Sequence, residues 1–119
     1  MKYSVEFYCK KDGTEPAREF IEKLDKKMIA KIIRIIDLLE ENGPQVRLPY
    51  SEYLKDGIFE IRVKQGTDVA RVLYFFVIGK KIVLTNGFIK KTQKTPINEI
   101  EIAKKYRLDY ERRCWYDKL

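Results

Sequence analysis

Three apolar runs constrain this chain more than any other feature. They read Ile58-Phe-Glu-Ile-Arg-Val-Lys64, Val69-Ala-Arg-Val-Leu-Tyr-Phe-Phe-Val-Ile78 and Lys81-Ile-Val-Leu-Thr-Asn-Gly-Phe88. β-branched and aromatic residues dominate each run, and short Gly-containing breaks separate them. That is the signature of consecutive antiparallel strands. The last run empties into Ile89-Lys-Lys-Thr-Gln-Lys-Thr-Pro96.

Charge singles out the same stretch. Residues 62–94 hold the cations Arg62, Lys64, Arg71, Lys80, Lys81, Lys90, Lys91 and Lys94 against one anion, Asp68. The whole chain carries +7, so the excess sits on or beside one small sheet. A localised basic face is the electrostatic footprint of a polyanion-binding protein.

The remaining elements follow in order. Lys2 to Tyr8 alternates, with Tyr3, Val5 and Phe7 on one side, as in a half-buried strand. Lys11-Asp-Gly13 turns the chain, Thr14 is suited to cap a helix, and Pro16 fits its first turn. Asp25 is suited to cap a second helix with a stripe of Met28, Ile29, Ile32, Ile33, Ile36 and Leu39, widened by Ile35 and Leu38. Asn42-Gly43-Pro44 ends it. Residues 45–57 read as a polar connection, from which Arg47, Tyr50, Tyr53 and Lys55 can reach the basic face. Gly79-Lys80 suits a two-residue hairpin turn. That register sets Phe76 against Val83, Tyr74 against Thr85 and Arg71 against Phe88. Arg71, Phe88 and Lys90 then share one face, away from the turn. Thr95-Pro96 starts a final helix through Ile97, Ile100, Ala103 and Tyr106.

The predicted order is β-α-α-β-β-β-α in a single α+β domain spanning 1–119. Its twisted sheet is mostly antiparallel, a helical hairpin covers one face, and the other face is left partly open and basic. No apolar run approaches the roughly 20 residues that cross a bilayer, and the N-terminus lacks the pattern of a signal peptide. A cytoplasmic protein is expected. Cys9 and Cys114 lie far apart without metal-ligand spacing and are expected to be thiols.

The chain has no histidine. That excludes Ser-His-Asp chemistry and most zinc sites, and no metal or cofactor is expected. Arg71 interrupts an otherwise apolar strand. Burying an unpaired guanidinium is very costly, so it faces solvent, pairs with an acid such as Glu60, or receives an anionic ligand. Arg62 poses the same question one strand earlier. Lys90, Lys91 and Lys94 stand before a helix N-terminus, which also favours an anion. With Tyr74 and Phe88 as stacking surfaces, these cations make a candidate RNA site. Cleavage of RNA is chemically open to it. Arg71 and Arg62 can stabilise phosphorane charge, and a lysine among cations can carry a proton. Composition alone does not separate cleavage from binding.

The segments Phe59-Glu-Ile-Arg62, Ala70-Arg-Val-Leu-Tyr-Phe-Phe76 and Asn86-Gly-Phe-Ile-Lys-Lys-Thr-Gln-Lys-Thr-Pro96, followed by Glu99 and Ala103, resemble phage-derived toxins of the RelE/ParE superfamily, HigB-like branch. The resemblance runs from the first strand to the last helix, and the Phe-x-Lys-Lys-Thr-x-Lys-Thr-Pro run is its most specific part. It implies a small growth-arresting toxin that forms a hetero-oligomer with an antitoxin, often of the helix-turn-helix type. RelE- and HigB-like members cleave mRNA on the ribosome without metal. By this resemblance Arg71 matches the strand arginine that stabilises the scissile phosphate, and Lys90 and Lys91 match the basic pair after the last strand. Arg62 and Lys64 match the preceding strand loosely, and Lys94 extends the RNA-binding set. RelE-like sequences carry a functional tyrosine soon after the basic pair. This chain has none between Thr92 and Asn98, so the proton-transfer residue stays unassigned. A ParE-like gyrase inhibitor and a non-catalytic RNA-binding phage accessory protein remain the alternatives.

Overall fold

The computed structural model describes residues 2–90 and 94–117, with side chains to 114. Five strands form one sheet in the order β1-β5-β4-β3-β2. The strands are β1 (Ser4–Phe7), β2 (Ser51–Lys55), β3 (Ile58–Gln65), β4 (Asp68–Val77) and β5 (Lys81–Lys90). Helices α1 (Pro16–Glu22) and α2 (Lys26–Asn42) lie between β1 and β2, and α3 (Ile97–Asp117) follows β5. The neighbours β5-β4-β3-β2 pair antiparallel, and β1 joins β5 in parallel. The α+β class, the helical hairpin and the C-terminal helix are as expected from sequence. Strand β2 is an addition: it lies inside the stretch read as a connection.

Helix boundaries follow local chemistry. The Asp25 carboxylate accepts from the Met28 amide at 2.8 Å and caps α2. Glu15, not Thr14, occupies the α1 cap position. Thr14 instead donates through its amide and hydroxyl to Asp12. Gly43 ends α2 with φ +54°. A Cβ there would overlap the Tyr3 ring, so the position needs both glycine's backbone freedom and its small size.

Each face of the sheet has its own core. Against α1 and α2 pack Ile61, Val72, Tyr74, Ile82 and Leu84, facing Met28, Ile32, Ile35 and Leu39. The α2 stripe thus centres on Ile32 and Ile35, and Ile33 is exposed. Against α3 pack Ile58, Leu73, Phe75 and Val83, facing Ile100 and Ala103. The second face is covered over part of its area by α3, and the rest stays open, as the sequence suggested.

The β4–β5 hairpin differs from the expected register near its turn. Val77 pairs with Lys81, so Ile78, Gly79 and Lys80 form a three-residue connection, with φ +97° at Gly79 and +61° at Lys80. Phe76 faces Ile82 and Tyr74 faces Leu84. A bulge after Leu73 then absorbs Thr85, whose hydroxyl donates to the Leu73 carbonyl at 3.1 Å. Beyond the bulge Leu73 faces Asn86 and Arg71 faces Phe88, as expected. The slip at the turn is cancelled before the strand reaches its charged end.

Gly87 lies past the bulge and faces α1, where a Cβ would overlap the Phe20 ring. Gly87→Ala is expected to destabilise the fold by about 1–3 kcal/mol through overpacking, read as a lowered denaturant midpoint with an unchanged slope.

Candidate functional site

Period-two alternation places three rungs of side chains on the α3 face of the sheet. Glu60, Leu73 and Asn86 form the first, Arg62, Arg71 and Phe88 the second, and Lys64, Val69 and Lys90 the third. The first two rungs lie beside the start of α3. The Asn86 amide donates to the Glu99 carbonyl at 3.3 Å and to its carboxylate at 3.1 Å, tying β5 to that helix.

A buried carboxylate is the centre of the arrangement. Glu60 is 1% exposed and Arg71 0%. Arg71 Nη1 lies 3.7 Å from Glu60 Oε2, and Arg62 Nε lies 3.6 Å from the same oxygen. Arg62 Nη1 also reaches Glu52 Oε1 at 3.3 Å. Arg71 and Arg62 stand directly opposite in the register, an unfavourable juxtaposition of like charges that Glu60 offsets. Thr95 closes the group. Its hydroxyl accepts from Arg71 Nη1 at 2.9 Å and donates to Glu60 Oε1 in a short hydrogen bond. Thr95, read from sequence as part of the start of the final helix, thus turns its side chain to the sheet. Helix α3 starts one residue after Pro96, whose carbonyl accepts from Glu99 and Ile100.

Burial pushes the Glu60 carboxyl above the usual carboxylate range. The Thr95 hydrogen bond and the Arg71 and Arg62 guanidinium groups oppose this shift, and the Glu52 charge reinforces it. A carboxyl so placed holds its proton to a higher pH than an ordinary glutamate, which suits it to proton transfer. Arg62 keeps 23% of its side chain in solvent and links the buried group to the surface.

The site residues read from sequence are thus partly assembled. Arg62, Lys64, Arg71, Phe88 and Lys90 share one face of the sheet. Lys94 is exposed beside Thr95, and Lys91 lies outside the described residues. Tyr74 does not join them. It sits 1% exposed on the opposite face, its hydroxyl sharing a short hydrogen bond with Ser51. Burial raises its pKa to about 12, although the Ser51 contact opposes the shift. The reason is parity: Tyr74 faces away from Leu73 and Phe75, so its ring stacks on Phe59 in the α2-side core and cannot meet a base. Of the three states open to Arg71, the structure shows the ion pair with Glu60. Glu60, Glu52 and Thr95 were not marked as site residues. The available signal was Glu60 itself, an acid at an inward position of an apolar strand, two residues before an arginine.

Glu60→Ala removes the carboxylate paired with the buried Arg71 and is expected to cost about 3–5 kcal/mol. Glu60→Gln should separate charge from volume. The folded protein binds the Glu60 proton more tightly than the unfolded chain does. Its contribution to stability is therefore fully present below the ordinary glutamate pKa and declines as pH rises through the elevated one. Urea midpoints measured across the acid-to-neutral range should show that decline in the wild type and lose it in Glu60→Gln.

Comparison with known proteins bears on the fold and the family. Among solved structures, the chain is similar to one titled "Crystal structure of archaeal RelE-RelB complex from Pyrococcus horikoshii OT3", with a TM-score of 0.52 and 18% identity over 79% of this chain and 100% of that one. At that identity the likeness concerns the fold, which is RelE-like as the sequence motifs suggested. No curated protein matches the chain. Residues 19–107 match the family model described as "Phage derived protein Gp49-like (DUF891)", and the chain belongs to that family.

Proposed function

We propose that this protein is the toxin of a type II toxin–antitoxin pair and acts as a metal-independent endoribonuclease on translated mRNA in the cytoplasm. The observation that carries the reading is the Glu60, Arg62 and Arg71 group, with Lys64 and Lys90 on the next rung of the same face. Strand cleavage needs a base for the 2′-OH, positive charge on the phosphorane and a proton for the leaving 5′-oxygen. Glu60, with its elevated pKa, takes the 2′ proton as the 2′-oxygen attacks phosphorus, once the bond from Thr95 opens and frees a carboxylate oxygen to the substrate. Arg62, at the surface of the group, meets the phosphate first. Arg71 is fully buried and contacts a phosphate only when its bond to Thr95 opens. In the closed arrangement it positions Glu60. Lys64 or Lys90 supplies the proton as the bond from phosphorus to the 5′-oxygen breaks. The products are a 2′,3′-cyclic phosphate and a 5′-hydroxyl end.

The RelE-like fold and the family membership support the toxin reading. No described helix is long and apolar enough to cross a membrane. The similar archaeal RelE is titled as a complex with RelB, which supports an antitoxin partner here, expected to be of the helix-turn-helix type. An acidic antitoxin segment suits the basic face. The affinity of that complex is expected to fall as salt rises, and a salt-independent dissociation constant in titration calorimetry would remove the electrostatic part of this reading.

Induced expression in a bacterium, with mapping of mRNA 5′ ends, tests the activity. Wild type is expected to arrest growth and produce new ends inside translated regions. Arg62→Ala, which leaves the Glu60–Arg71 pair in place, is expected to abolish both. Arg71→Ala is expected to do the same, with lower stability because Glu60 loses its buried partner. Growth arrest without new ends would point to a target such as gyrase, and no arrest would point to an RNA-binding accessory protein.

A further inference from the structure

The sheet leaves an open edge where β2 ends. Strand β2 pairs with β3 only as far as Ile61. Beyond it, the Arg62 amide donates to the Tyr50 carbonyl at 2.9 Å, and Lys31 Nζ donates to the Lys64 carbonyl at 3.1 Å. Between α2, the 47–50 loop and this edge lies a cavity of about 590 Å³. That size falls within the usual range for small-ligand sites. Lys31 and Arg34 enter it from α2, Arg62 and Lys64 from β3, and Leu48 and Tyr50 from the loop. Its floor is apolar, with Ile35, Val63 and Val69.

Two features define what fits. Among the described residues, four cations and no carboxylate line the cavity, so the occupant is anionic. Leu48 and Tyr50 are 58% and 47% exposed and present apolar surface at the cavity mouth. The Tyr50 backbone is tied at both ends, its amide donating to the Arg47 carbonyl at 3.0 Å and its carbonyl accepting from Arg62. The backbone that carries the ring is therefore fixed beside the cations. A flat apolar group with an attached anion is the chemistry of a nucleotide.

We infer that this cavity is a nucleotide subsite for single-stranded RNA, with the base on Tyr50 and Leu48 and the phosphate on Arg34 and Lys64. The inference rests on the nuclease reading for its place in the reaction: Arg62 belongs both to the Glu60 group and to the cavity wall, so the bound nucleotide neighbours the scissile phosphate. Continuity through Arg62 favours RNA over an acidic peptide. The stacking role expected of Tyr74 passes to Tyr50. Lys31 and Arg34 become part of the site although α2 otherwise serves the core.

The test uses the full chain and a trinucleotide with 2′-O-methyl groups, which binds but cannot be cleaved. Tyr50 and Arg34 are exposed, so Tyr50→Ala and Arg34→Glu should keep the wild-type circular dichroism and denaturant midpoint. Each is expected to weaken trinucleotide binding about tenfold or more. Tyr50→Ala should leave the salt dependence intact, and Arg34→Glu should reduce it. In cells, both variants should cut less and shift the sequence preference of the remaining cuts. A wild type that cuts mRNA, with both variants binding and cutting as it does, overturns the subsite and leaves the nuclease standing. A wild type that makes no cuts, yet binds the trinucleotide with loss in both variants, keeps the subsite and overturns the nuclease. If an oligoglutamate peptide binds as tightly and is lost in the same variants, the cavity is a peptide site and the RNA assignment falls.

Discussion

The buried pair of Glu60 and Arg71 governs how this sheet is put together. Neither group can be held alone in an apolar strand, because an unpaired charge in low dielectric costs more than the surrounding packing returns. Together they fix the β3–β4 register: sliding either strand by one residue would send one of the two charges to the α2-side core. They also fix where α3 begins. Thr95 bridges both groups, so the chain leaving β5 must return to this point before its helix starts. The second hydrophobic layer, Ile100 and Ala103 against Leu73 and Phe75, follows from that return. A charged cluster thereby anchors an apolar one.

What the sequence made legible tracks the strength of each local signal. The three long strands were plain because β-branched and aromatic residues run without interruption between glycine breaks. Asp25 and Asn42-Gly43 marked the ends of α2 because capping is a contact over a few residues. Strand β2 was hidden by its composition. Ser51-Glu-Tyr-Leu-Lys55 is largely polar, follows Pro49, and pairs only along one side with a register shift before Lys55. An edge strand needs little apolar character, so its sequence resembles a loop.

The candidate site was legible in part for the same reason. Arg62, Arg71 and Lys90 stood out as charges in apolar strands, and alternation placed them on one face. Tyr74 was misplaced because aromatic character says nothing about which side of a sheet a residue faces. Residues 74–76 are all aromatic, and only the packing of α2 and α3 distinguishes them. The cavity at the β3 edge was beyond sequence reasoning, since it joins Lys31 and Arg34, Leu48 and Tyr50, and Arg62 and Lys64 from three separate stretches. No local pattern links residues so far apart, and only the docking of α2 beside the truncated β2 brings them together.

The bulge at Thr85 works as a change of phase. Before it, even-numbered β5 residues such as Ile82 and Leu84 face the helical hairpin. After it, the even-numbered Asn86, Phe88 and Lys90 face the Glu60 group. One inserted residue thus lets a single strand serve two masters, with a core alternation at one end and a polar alternation at the other. The hairpin turn and the charged end are consequently free to vary separately. A change of one residue in the Ile78–Lys80 connection can be taken up at the bulge without rotating Phe88 or Lys90 out of place. Loss of the bulge with Thr85 retained would pair Leu73 with Thr85 and Arg71 with Gly87, presenting Gly87 where Phe88 belongs.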